Sequence, residues 1–250
     1  MTPKRLLLVT GASRGIGAAT ALQATARGYF VCVNFRRNVD AAATTLDQIR
    51  RRGGAGIAVQ ADVGREKDVA RLFEAIDAQP GKLVAVVNNA GKLAPASRLE
   101  DMESARWESV FRTNVLGTML CTREAIKRMS LRHGGAGGAV VNVSSAASRT
   151  GSPNEYVDYA ASKGAVDSFT IGVAREVAQD GIRVNGVRPG FVRTSIHAEG
   201  GDPHRIDRLR ELLPMRRGGE PEEVAAAILW LLSEEASYVT GSFIDIAGGL

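Results

Sequence analysis

Residues that form covalent cross-links or bind metals are scarce in this chain. Its 250 residues include only two cysteines and three histidines. Cys32 lies in a predicted strand and Cys121 in a predicted helix, and such a pair gives no disulfide framework. The histidines, His133, His197 and His204, fall in no metal-ligand spacing, so we expect no metal site.

Long apolar runs are also missing. The longest, residues 224–232, is far shorter than the ~20 residues that a membrane-spanning helix needs. Near the start of the chain, Lys4 and Arg5 are followed by only four strongly apolar residues, too few for a secretory signal. Together with the low cysteine content, these features predict a cytoplasmic protein that does not contact a membrane.

The charge is nearly balanced, which limits the partners to be expected. The chain has 32 Lys and Arg against 27 Asp and Glu, a net charge of +5, and only 5% aromatic residues. Its basic clusters are short, at residues 36–37, 50–52 and 216–217, and no interleaved aromatics or recognition module accompany them. We expect no nucleic-acid partner, since solvated helix faces and an anionic cofactor explain the surplus more simply.

Short apolar segments alternate with helical stretches along the whole chain. Strands are predicted near residues 5–10, 29–35, 56–61, 82–88, 138–143, 182–187 and 242–247. Helices are predicted near residues 15–28, 39–52, 66–78, 104–132, 157–180, 205–213 and 221–233. Buried strands rich in Val, Ile and Leu between helices indicate a parallel sheet with helices on both faces. No linker divides the sequence, so we predict one α/β domain, a Rossmann-like doubly wound sheet, over residues 1–250.

A glycine-rich turn follows the first predicted strand. The apolar residues 6–9 precede Thr-Gly-Ala-Ser-Arg-Gly-Ile-Gly, and strong helix formers come next. In this context Gly11 and Gly15 would let the backbone approach a pyrophosphate, and Gly17 would let the helix pack on the strand. The spacing Gly-x-x-x-Gly-x-Gly differs from the usual dinucleotide fingerprint, and a plain tight turn is the competing interpretation.

A tyrosine and a lysine four residues apart carry the clearest chemical signal. Tyr159 and Lys163 would lie on one face of a helix, one turn from each other. A positive charge about 4 Å from the phenol, at an effective dielectric constant of roughly 20, favours the phenolate by about 4 kcal/mol. The tyrosine pKa would then fall by about 3, to near neutrality. Such a pair can take a proton from an alcohol or give one to a carbonyl.

The glycine turn, the Tyr159 and Lys163 pair and several other motifs occur in the order typical of the short-chain dehydrogenase/reductase family. The chain resembles this family over essentially its whole length. The matching pieces are Thr10 to Gly17, Asp62 and Val63, Asn88 to Gly91, Asn114, Ser145, Tyr159 with Lys163, Pro189 and Gly190, and Gly241 to Asp245 with Gly248 and Gly249. Many members place the serine thirteen residues before the tyrosine. Ser145 is fourteen residues before it and Ser144 fifteen, so Ser145 is the preferred assignment, with the loop 151–155 taking up the extra residue.

The resemblance implies a sheet of seven strands in the order 3-2-1-4-5-6-7 and the catalytic set Asn114, Ser145, Tyr159 and Lys163. Tyr159 would be the general acid/base, Ser145 would hold the substrate oxygen, and Lys163 would favour the phenolate. In the family, the Asn114 position holds a water that continues a proton relay from the lysine. A helix-interior residue that bends its helix is the competing interpretation of Asn114.

The resemblance also implies a nicotinamide cofactor. Its expected binding residues are Gly11, Ser13, Arg14, Gly15, Ile16, Gly17, Arg36, Arg37, Asp62, Val63, Asn89, Ala90, Gly91, Tyr159, Lys163, Pro189, Gly190 and Thr194. Asp62 and Val63 would contact the adenine, unless Asp62 is an ordinary helix cap. The backbone of residues 89–91 would lie close to the cofactor ribose, unless these residues form only an ordinary turn at the end of a strand. Thr194 would bind the carboxamide.

The end of the second predicted strand favours NADP over NAD. An NAD enzyme needs an acid there to bind the free ribose hydroxyl, but Phe35 occupies that place and no acid precedes Asp40. Arg36 can present a planar fork to a 2′-phosphate, and Arg14 in the glycine turn can approach it from the other side. Arg37 can serve in place of Arg36 or simply be solvated.

The substrate is the least determined feature. We expect residues 191–213 to close over a small-molecule substrate as a lid, with Leu209, Leu212 and Leu213 as its apolar inner face. By overall resemblance the chain is similar to the sugar dehydrogenase and 3-oxoacyl-carrier-protein reductase branches. We expect an oxidoreductase acting on a free small or medium alcohol or ketone.

The alternatives are a reductase of carrier-bound acyl groups and an NADP-binding sensor or scaffold without catalysis. Asp180 would repel an acidic carrier protein, and Arg132 could partly compensate. The complete catalytic set argues against the sensor. Apolar residues on the helices near 104–132 and 157–180 and at 239–250, together with the family resemblance, imply a homotetramer.

Overall fold

The computed structural model describes residues 4–250, which contribute seven strands to one parallel sheet. The strands are β1 (Lys4–Val9), β2 (Tyr29–Phe35), β3 (Ala55–Gln60), β4 (Gly81–Asn88), β5 (Gly138–Val143), β6 (Ile182–Pro189) and β7 (Phe243–Ile246). Their order is β3-β2-β1-β4-β5-β6-β7 and every pairing is parallel. The predicted doubly wound topology is therefore confirmed.

The connections between strands are mostly helical. The α-helices are α1 (Gly15–Thr25), α2 (Val39–Arg51), α3 (Glu66–Asp77), α4 (Ser104–Phe111), α5 (Gly117–Met129), α6 (Ala147–Thr150), α7 (Val157–Glu176), α8 (Ile196–Glu199), α9 (Arg205–Leu209) and α10 (Pro221–Leu232). The seven predicted strands are found within two residues at each end. Single-turn helices such as α6 and α8 carry too little periodic pattern to be predicted.

Two apolar cores cover the two faces of the sheet. Alternate residues of a strand point to opposite faces, so Leu7 joins α1, α2 and α10 in one core while Leu8 joins α3, α5 and α7 in the other. Both leucines are fully buried. Because both faces are covered, the central strands carry continuous apolar runs, and such runs made them predictable from the sequence.

The helix predicted over residues 104–132 is interrupted. A π-helical segment, Arg112–Leu116, separates α4 from α5, and α5 ends at Met129. The helix predicted over 157–180 also ends early, at Glu176, and a short 3-10 turn follows it. A π segment adds one residue to a turn without changing the apolar pattern enough to be predicted.

The strand order reverses between β1 and β4, and the loops that follow these two strands diverge there. In doubly wound sheets a crevice opens at this point, beyond the carboxyl ends of the strands. The glycine turn after β1, the 89–91 segment after β4 and the serines after β5 all lie at this edge.

Candidate active site

A cleft of about 940 Å³ opens at the carboxyl edge of the sheet and brings most of the predicted site residues together. The predicted residues that line it are Gly11, Ser13, Arg14, Gly15, Ile16, Arg36, Arg37, Asp62, Val63, Asn89, Ala90, Gly91, Ser145, Tyr159, Lys163, Pro189, Gly190 and Thr194. Two predicted residues do not line it: Gly17 and Asn114 lie behind its wall.

The glycine turn has a backbone that other residues would strain. Gly11 and Gly15 have φ of +61° and +55°, in the left-handed region where a Cβ is unfavourable. A Cβ on Gly11 would lie 3.0 Å from the Ala90 Cα, and one on Gly17 would lie 2.5 Å from the Asn89 Nδ2. Gly17 therefore packs α1 against the end of β4, and the open side of the turn faces the cleft.

The N-terminus of α1 suits an anion. Arg14 occupies the N-cap position but makes no side-chain cap bond, so the N–H groups of the first turn have no side-chain acceptor. Uncapped N–H groups and the helix dipole favour a negatively charged group at this end. Together with the glycine turn, this arrangement fits the pyrophosphate of a dinucleotide.

Two arginines stand at the end of the cleft where β2 terminates. Arg36 pairs with Asp62 at 3.0 Å, and its side chain is about half exposed (45%). Arg14 pairs with Glu199 in α8, across the mouth of the cleft. Arg37 is exposed and lines the same region. Arg14 and Arg36, two of the three arginines predicted to bind the phosphate, thus have a carboxylate neighbour that the sequence did not reveal.

Asp62 also caps the turn that follows it. Its Oδ1 accepts a 3.0 Å hydrogen bond from the Gly64 backbone N–H, while its Oδ2 faces Arg36. Asp62 therefore caps this turn and also lines the cleft. The N-cap position of α3 is occupied by Arg65, so Asp62 caps a turn before the helix and is not the helix cap that the competing interpretation expected.

Tyr159 and Lys163 lie one turn apart on α7, and the ammonium is hydrogen-bonded to the end of β5. Lys163 Nζ donates a 2.7 Å hydrogen bond to the Val143 carbonyl and lies 5.5 Å from the centroid of the Tyr159 ring. Burial raises the pKa of Tyr159 to about 12, and a hydrogen bond with Ser145 acts in the opposite direction. The expected lowering of the Tyr159 pKa to near neutrality is therefore wrong for this structure.

The two neighbouring serines have different surroundings. Ser144 is buried, and its hydroxyl donates to the Lys163 carbonyl at 3.3 Å. Ser145 is half-buried beside Tyr159, and its Oγ accepts a 3.1 Å bond from the Ala147 N–H. Ser144 thus fixes α7 to the end of β5, whereas the Ser145 hydroxyl lies within hydrogen-bonding reach of Tyr159.

Asn114 lies in the π-helical segment and is buried. Its Oδ1 accepts from the Lys92 N–H at 2.7 Å, and its Nδ2 donates to the Lys92 carbonyl at 3.1 Å and to Ser162 at 3.0 Å. A Cβ on Gly91 would lie 3.7 Å from Lys163 Nζ and 3.8 Å from Asn114 Oδ1. Asn114 therefore fixes the segment after β4 beside the lysine, in an irregular helix as the alternative interpretation anticipated.

The lid segment (residues 191–213) contributes a wall that differs from the predicted one. Leu209, Leu212 and Leu213 do not line the cleft, and the side chain of Leu212 faces solvent. The lid residues that line it include Phe191 and Ile196. Short helices turn the leucines away from the cleft, an orientation that the sequence pattern did not indicate.

An ion pair stands in the same wall. Arg205, at the start of α9, forms a bidentate ion pair with the carboxylate of Glu155. Its Nη1 donates to Oε1 at 2.8 Å, and its Nη2 donates to Oε2. Its guanidinium lies 5.0 Å from the Tyr156 ring centroid and 5.3 Å from that of Phe191. The Tyr156 hydroxyl donates to the Gly200 carbonyl at 3.1 Å. These contacts join the lid to the loop that precedes α7.

Arg132 and Asp180 lie away from the cleft. Their side chains form an ion pair at 3.2 Å, and both residues precede the amino ends of strands, β5 and β6. The cleft lies at the carboxyl ends, roughly 17 Å away along β5. Arg132 therefore contributes no positive charge to the cleft mouth of its own chain.

The chain is similar to known proteins over nearly its whole length. A sequence profile of the family described as Enoyl-(Acyl carrier protein) reductase matches residues 11–250. Uncharacterized oxidoreductase YgfF of Escherichia coli is 56% identical over 98% of this chain and 99% of its own length. 3beta-hydroxysteroid dehydrogenase 1 of Eggerthella lenta is 39% identical over 98% of this chain and 93% of its own length.

A solved structure gives the same result in three dimensions. A mutant short-chain dehydrogenase/reductase from Serratia marcescens superposes with a TM-score of 0.90 at 28% identity, covering 98% of this chain and 97% of the other. The chain belongs to the short-chain dehydrogenase/reductase family. It is an oxidoreductase of that family, as the motifs predicted.

In this short-chain dehydrogenase/reductase, sequence reasoning missed several cleft residues. They are Asn34, Phe35, Asn38, Lys92, Leu93, Glu155, Tyr156, Phe191, His197, Glu199 and Arg205. Most follow strands or belong to the lid, where neither periodicity nor a motif distinguishes them. Burial lowers the pKa of His197, whose Nε2 lies 3.0 Å from the Val192 carbonyl.

Residues 4–250 contain neither a candidate membrane span nor a candidate metal site. None of their helices is long and apolar enough to cross a membrane. Within the same residues, no group of three or more His, Cys, Asp or Glu side chains is arranged to hold a metal ion.

Proposed function

We propose that this oxidoreductase acts in the cytoplasm and transfers a hydride between NADP(H) and a free small or medium alcohol or ketone. The observation that carries the proposal is the convergence of Ser145, Tyr159 and Lys163 in one cleft with the glycine turn of α1. The nucleotide, when bound, would supply or accept the hydride. The chain itself would supply the proton and hold the substrate oxygen.

Tyr159 is the proposed proton donor. With a pKa of about 12, its phenol keeps its proton at neutral pH and can give it to a carbonyl oxygen as that oxygen becomes an alkoxide. Ser145 would donate its hydroxyl proton to the same oxygen and fix its position. Lys163, one turn away, would stabilise the phenolate left behind. Asn114 would hold the segment beside Lys163, and by family resemblance would support a proton relay from it.

The proposed nucleotide site runs from the glycine turn to the end of β2. Gly11, Gly15 and the N-terminus of α1 would accept the pyrophosphate. Arg36 and Arg14 would bind the 2′-phosphate, which explains why a half-exposed arginine and not an acid follows Phe35. Thr194, whose side chain would lie 3.1 Å from a Cβ placed on Gly15, would bind the carboxamide.

A reductase of carrier-bound acyl groups is the second candidate. A relative from Staphylococcus epidermidis, 34% identical over 97% of both chains, is named 3-oxoacyl-acyl-carrier-protein reductase FabG. Against it, Arg132 is paired with Asp180 at the opposite edge of the sheet, so the cleft mouth gains no basic residue from it. A nucleotide-binding sensor or scaffold is disfavoured by the complete set of acid, hydroxyl and ammonium in the cleft.

A homotetramer is part of the proposal. Large apolar side chains are exposed on three helices. They are Trp107 and Phe111 on α4, Met119 on α5 and Ile171 on α7. Others lie near the end of the chain, at Tyr238 and Leu250. Exposed apolar groups in two regions suit two different two-fold interfaces, as a dimer of dimers requires.

The test is a turnover screen that follows substrate-dependent oxidation of NADPH and NADH. Its substrates are sugars, steroids, quinones, simple ketones and acetoacetyl groups on a carrier protein. Turnover of free carbonyl compounds, with NADPH preferred, is the expected result. Higher efficiency with the acetoacetyl carrier, falling steeply with salt, would favour the second candidate. Nucleotide binding without turnover of any substrate would favour the sensor.

A further inference from the structure

The wall of the cleft contains a charged pair, Arg205 and Glu155, whose positive partner is nearly buried. The Arg205 side chain is 9% exposed, so its positive charge has lost most of its hydration. Burying an ion pair costs desolvation that its attraction repays only when geometry is excellent, and apolar residues often stabilise such sites as well. The pair therefore calls for an explanation other than stability.

Arg205 is held rigidly. Glu155 occupies its terminal nitrogens, and the rings of Tyr156 and Phe191 flank the guanidinium. Tyr156 is itself fixed by its bond to the Gly200 carbonyl and by the Ala160 N–H, which donates to the Tyr156 carbonyl at 2.9 Å. The carboxylate of Glu155 is thus held in one orientation by a partner that cannot easily move.

Glu155 keeps free hydrogen-bonding capacity toward the cleft. Its side chain is 34% exposed and lines the cleft, in contrast to the buried arginine. A carboxylate has about four lone-pair sites, and Arg205 occupies one on each oxygen. The remaining sites accept protons and cannot donate them. Glu155 precedes Tyr159 by four residues, next to the first turn of α7, and both side chains line the same cleft.

We propose that Glu155, held by Arg205, is a specificity-determining residue that accepts a hydrogen bond from a hydroxyl group of the substrate. The inference rests on the proposed function and narrows it to carbonyl compounds that carry hydroxyl groups near the reacting carbon. A carboxylate or phosphate would have to displace Glu155 from Arg205, whereas a hydroxyl adds to the pair without breaking it. A purely apolar ketone would desolvate the carboxylate and leave the lone pairs that Arg205 does not occupy without a donor.

The experiment uses pairs of ketones that share a carbon skeleton and differ only in their hydroxyl groups. The efficiency kcat/KM is measured for 2-hydroxycyclohexanone against cyclohexanone and for dihydroxyacetone against acetone, with NADPH. The enzymes are wild type, Glu155→Gln, Glu155→Leu and Asp202→Asn. The last is a matched control, because Asp202 pairs with Arg208 in the same lid but does not line the cleft. Thermal unfolding checks that each variant is folded.

Wild type should prefer the hydroxylated ketone of each pair. Both Glu155 variants should lose this preference by roughly 10- to 100-fold, mainly through a higher KM, because a hydrogen bond to a charged group is lost. Asp202→Asn should retain the preference. An unchanged preference in the Glu155 variants, or an equal loss for both members of each pair, would overturn the inference and leave the proposed function intact. Turnover of no ketone by wild type with either nucleotide would overturn both.

Discussion

The Lys163 Nζ donates a 2.7 Å hydrogen bond to the Val143 carbonyl oxygen, at the last residue of β5. This bond ties the ammonium to the end of β5, with Nζ 5.5 Å from the centroid of the Tyr159 ring. Burial lowers the pKa of Lys163 to about 8, with the nearby Asp167 carboxylate acting in the opposite direction. The lysine thus titrates closer to neutral pH than the tyrosine that it is expected to assist.

The buried ammonium should leave a signature in the stability of the protein. Lys163 has a pKa of about 8 in the folded state and about 10.5 when unfolded. Between these values the folded protein has lost the proton and the unfolded chain still holds it, so stability rises with pH. Relative to Lys163→Met, the wild-type free energy of unfolding should increase by about 2–3 kcal/mol between pH 7.5 and pH 10.

Urea unfolding of the two proteins across this range provides the measurement. Between pH 6 and pH 7.5 their difference should stay constant, which is an internal control because Lys163 is protonated in both states there. A constant difference up to pH 10 would show that the lysine keeps its ordinary pKa in the folded protein.

Ser145 and Ser144 should respond differently to the same substitution. Ser145→Ala removes a hydroxyl proposed to hold the developing alkoxide, so kcat should fall by about 100-fold. Ser144→Ala removes a buried bond to the Lys163 carbonyl, which should cost about 1 kcal/mol of stability and little turnover. Steady-state kinetics and urea unfolding of both variants check this. Loss of turnover in the Ser144 variant alone would reverse the assignment.

Nucleotide preference should depend on Arg14 and Arg36. In the double variant Arg14→Ala/Arg36→Ala, the ratio of kcat/KM with NADPH to that with NADH should fall at least about tenfold, because charge-assisted bonds to the 2′-phosphate are lost. Arg37→Ala, at an exposed neighbouring site, is the control and should change the ratio less. A wild-type ratio that favours NADH, or one that the double variant leaves unchanged, would refute the preference.

A substitution at Glu199 should have the opposite effect and strengthen NADPH binding. It pairs with Arg14 across the cleft mouth, so Glu199→Gln should free Arg14 and tighten NADPH binding up to about fivefold, the range of an exposed ion pair. NADH binding should change less. Fluorescence titration of both nucleotides makes the comparison.

The sheet could be predicted from the sequence because its strands are buried on both faces. Runs such as residues 6–9 are apolar throughout, and the predicted ends fall within two residues of those found. The glycine turn was equally visible, since only glycine suits the positive φ of Gly11 and Gly15. Both features depend on local rules that a single stretch of sequence contains.

The rest of the site depends on contacts between distant parts of the chain. Arg14 and Glu199 are 185 residues apart, and nothing in either neighbourhood indicates their pairing. The same is true of Glu155 and Arg205. The expected lowering of the Tyr159 pKa has the wrong sign because it rests on the Lys163 charge alone and omits the cost of burial. Residue spacing along a helix does not determine where a flexible ammonium points.

The proposed tetramer should depend on the exposed aromatic residues of α4. Phe111→Glu places a charge where an apolar interface is expected, so the particle should fall from about 4 to about 2 chains. Val39→Glu, a similarly apolar and exposed site on α2, is the control and should remain tetrameric. Light scattering at micromolar concentration distinguishes these states. A wild-type mass of 26.5 kDa would exclude the tetramer.

The most direct test of the account is the turnover of Tyr159→Phe with NADPH and a ketone that wild type reduces. The substitution removes only the phenol oxygen, so kcat should fall at least about 100-fold, as expected for the loss of a general acid. The affinity for NADPH, measured by fluorescence titration, should change less than about twofold, because the phenol is not expected to bind the nucleotide strongly. Near-normal kcat in this variant, with NADPH still bound, would contradict the assignment of Tyr159 as the acid.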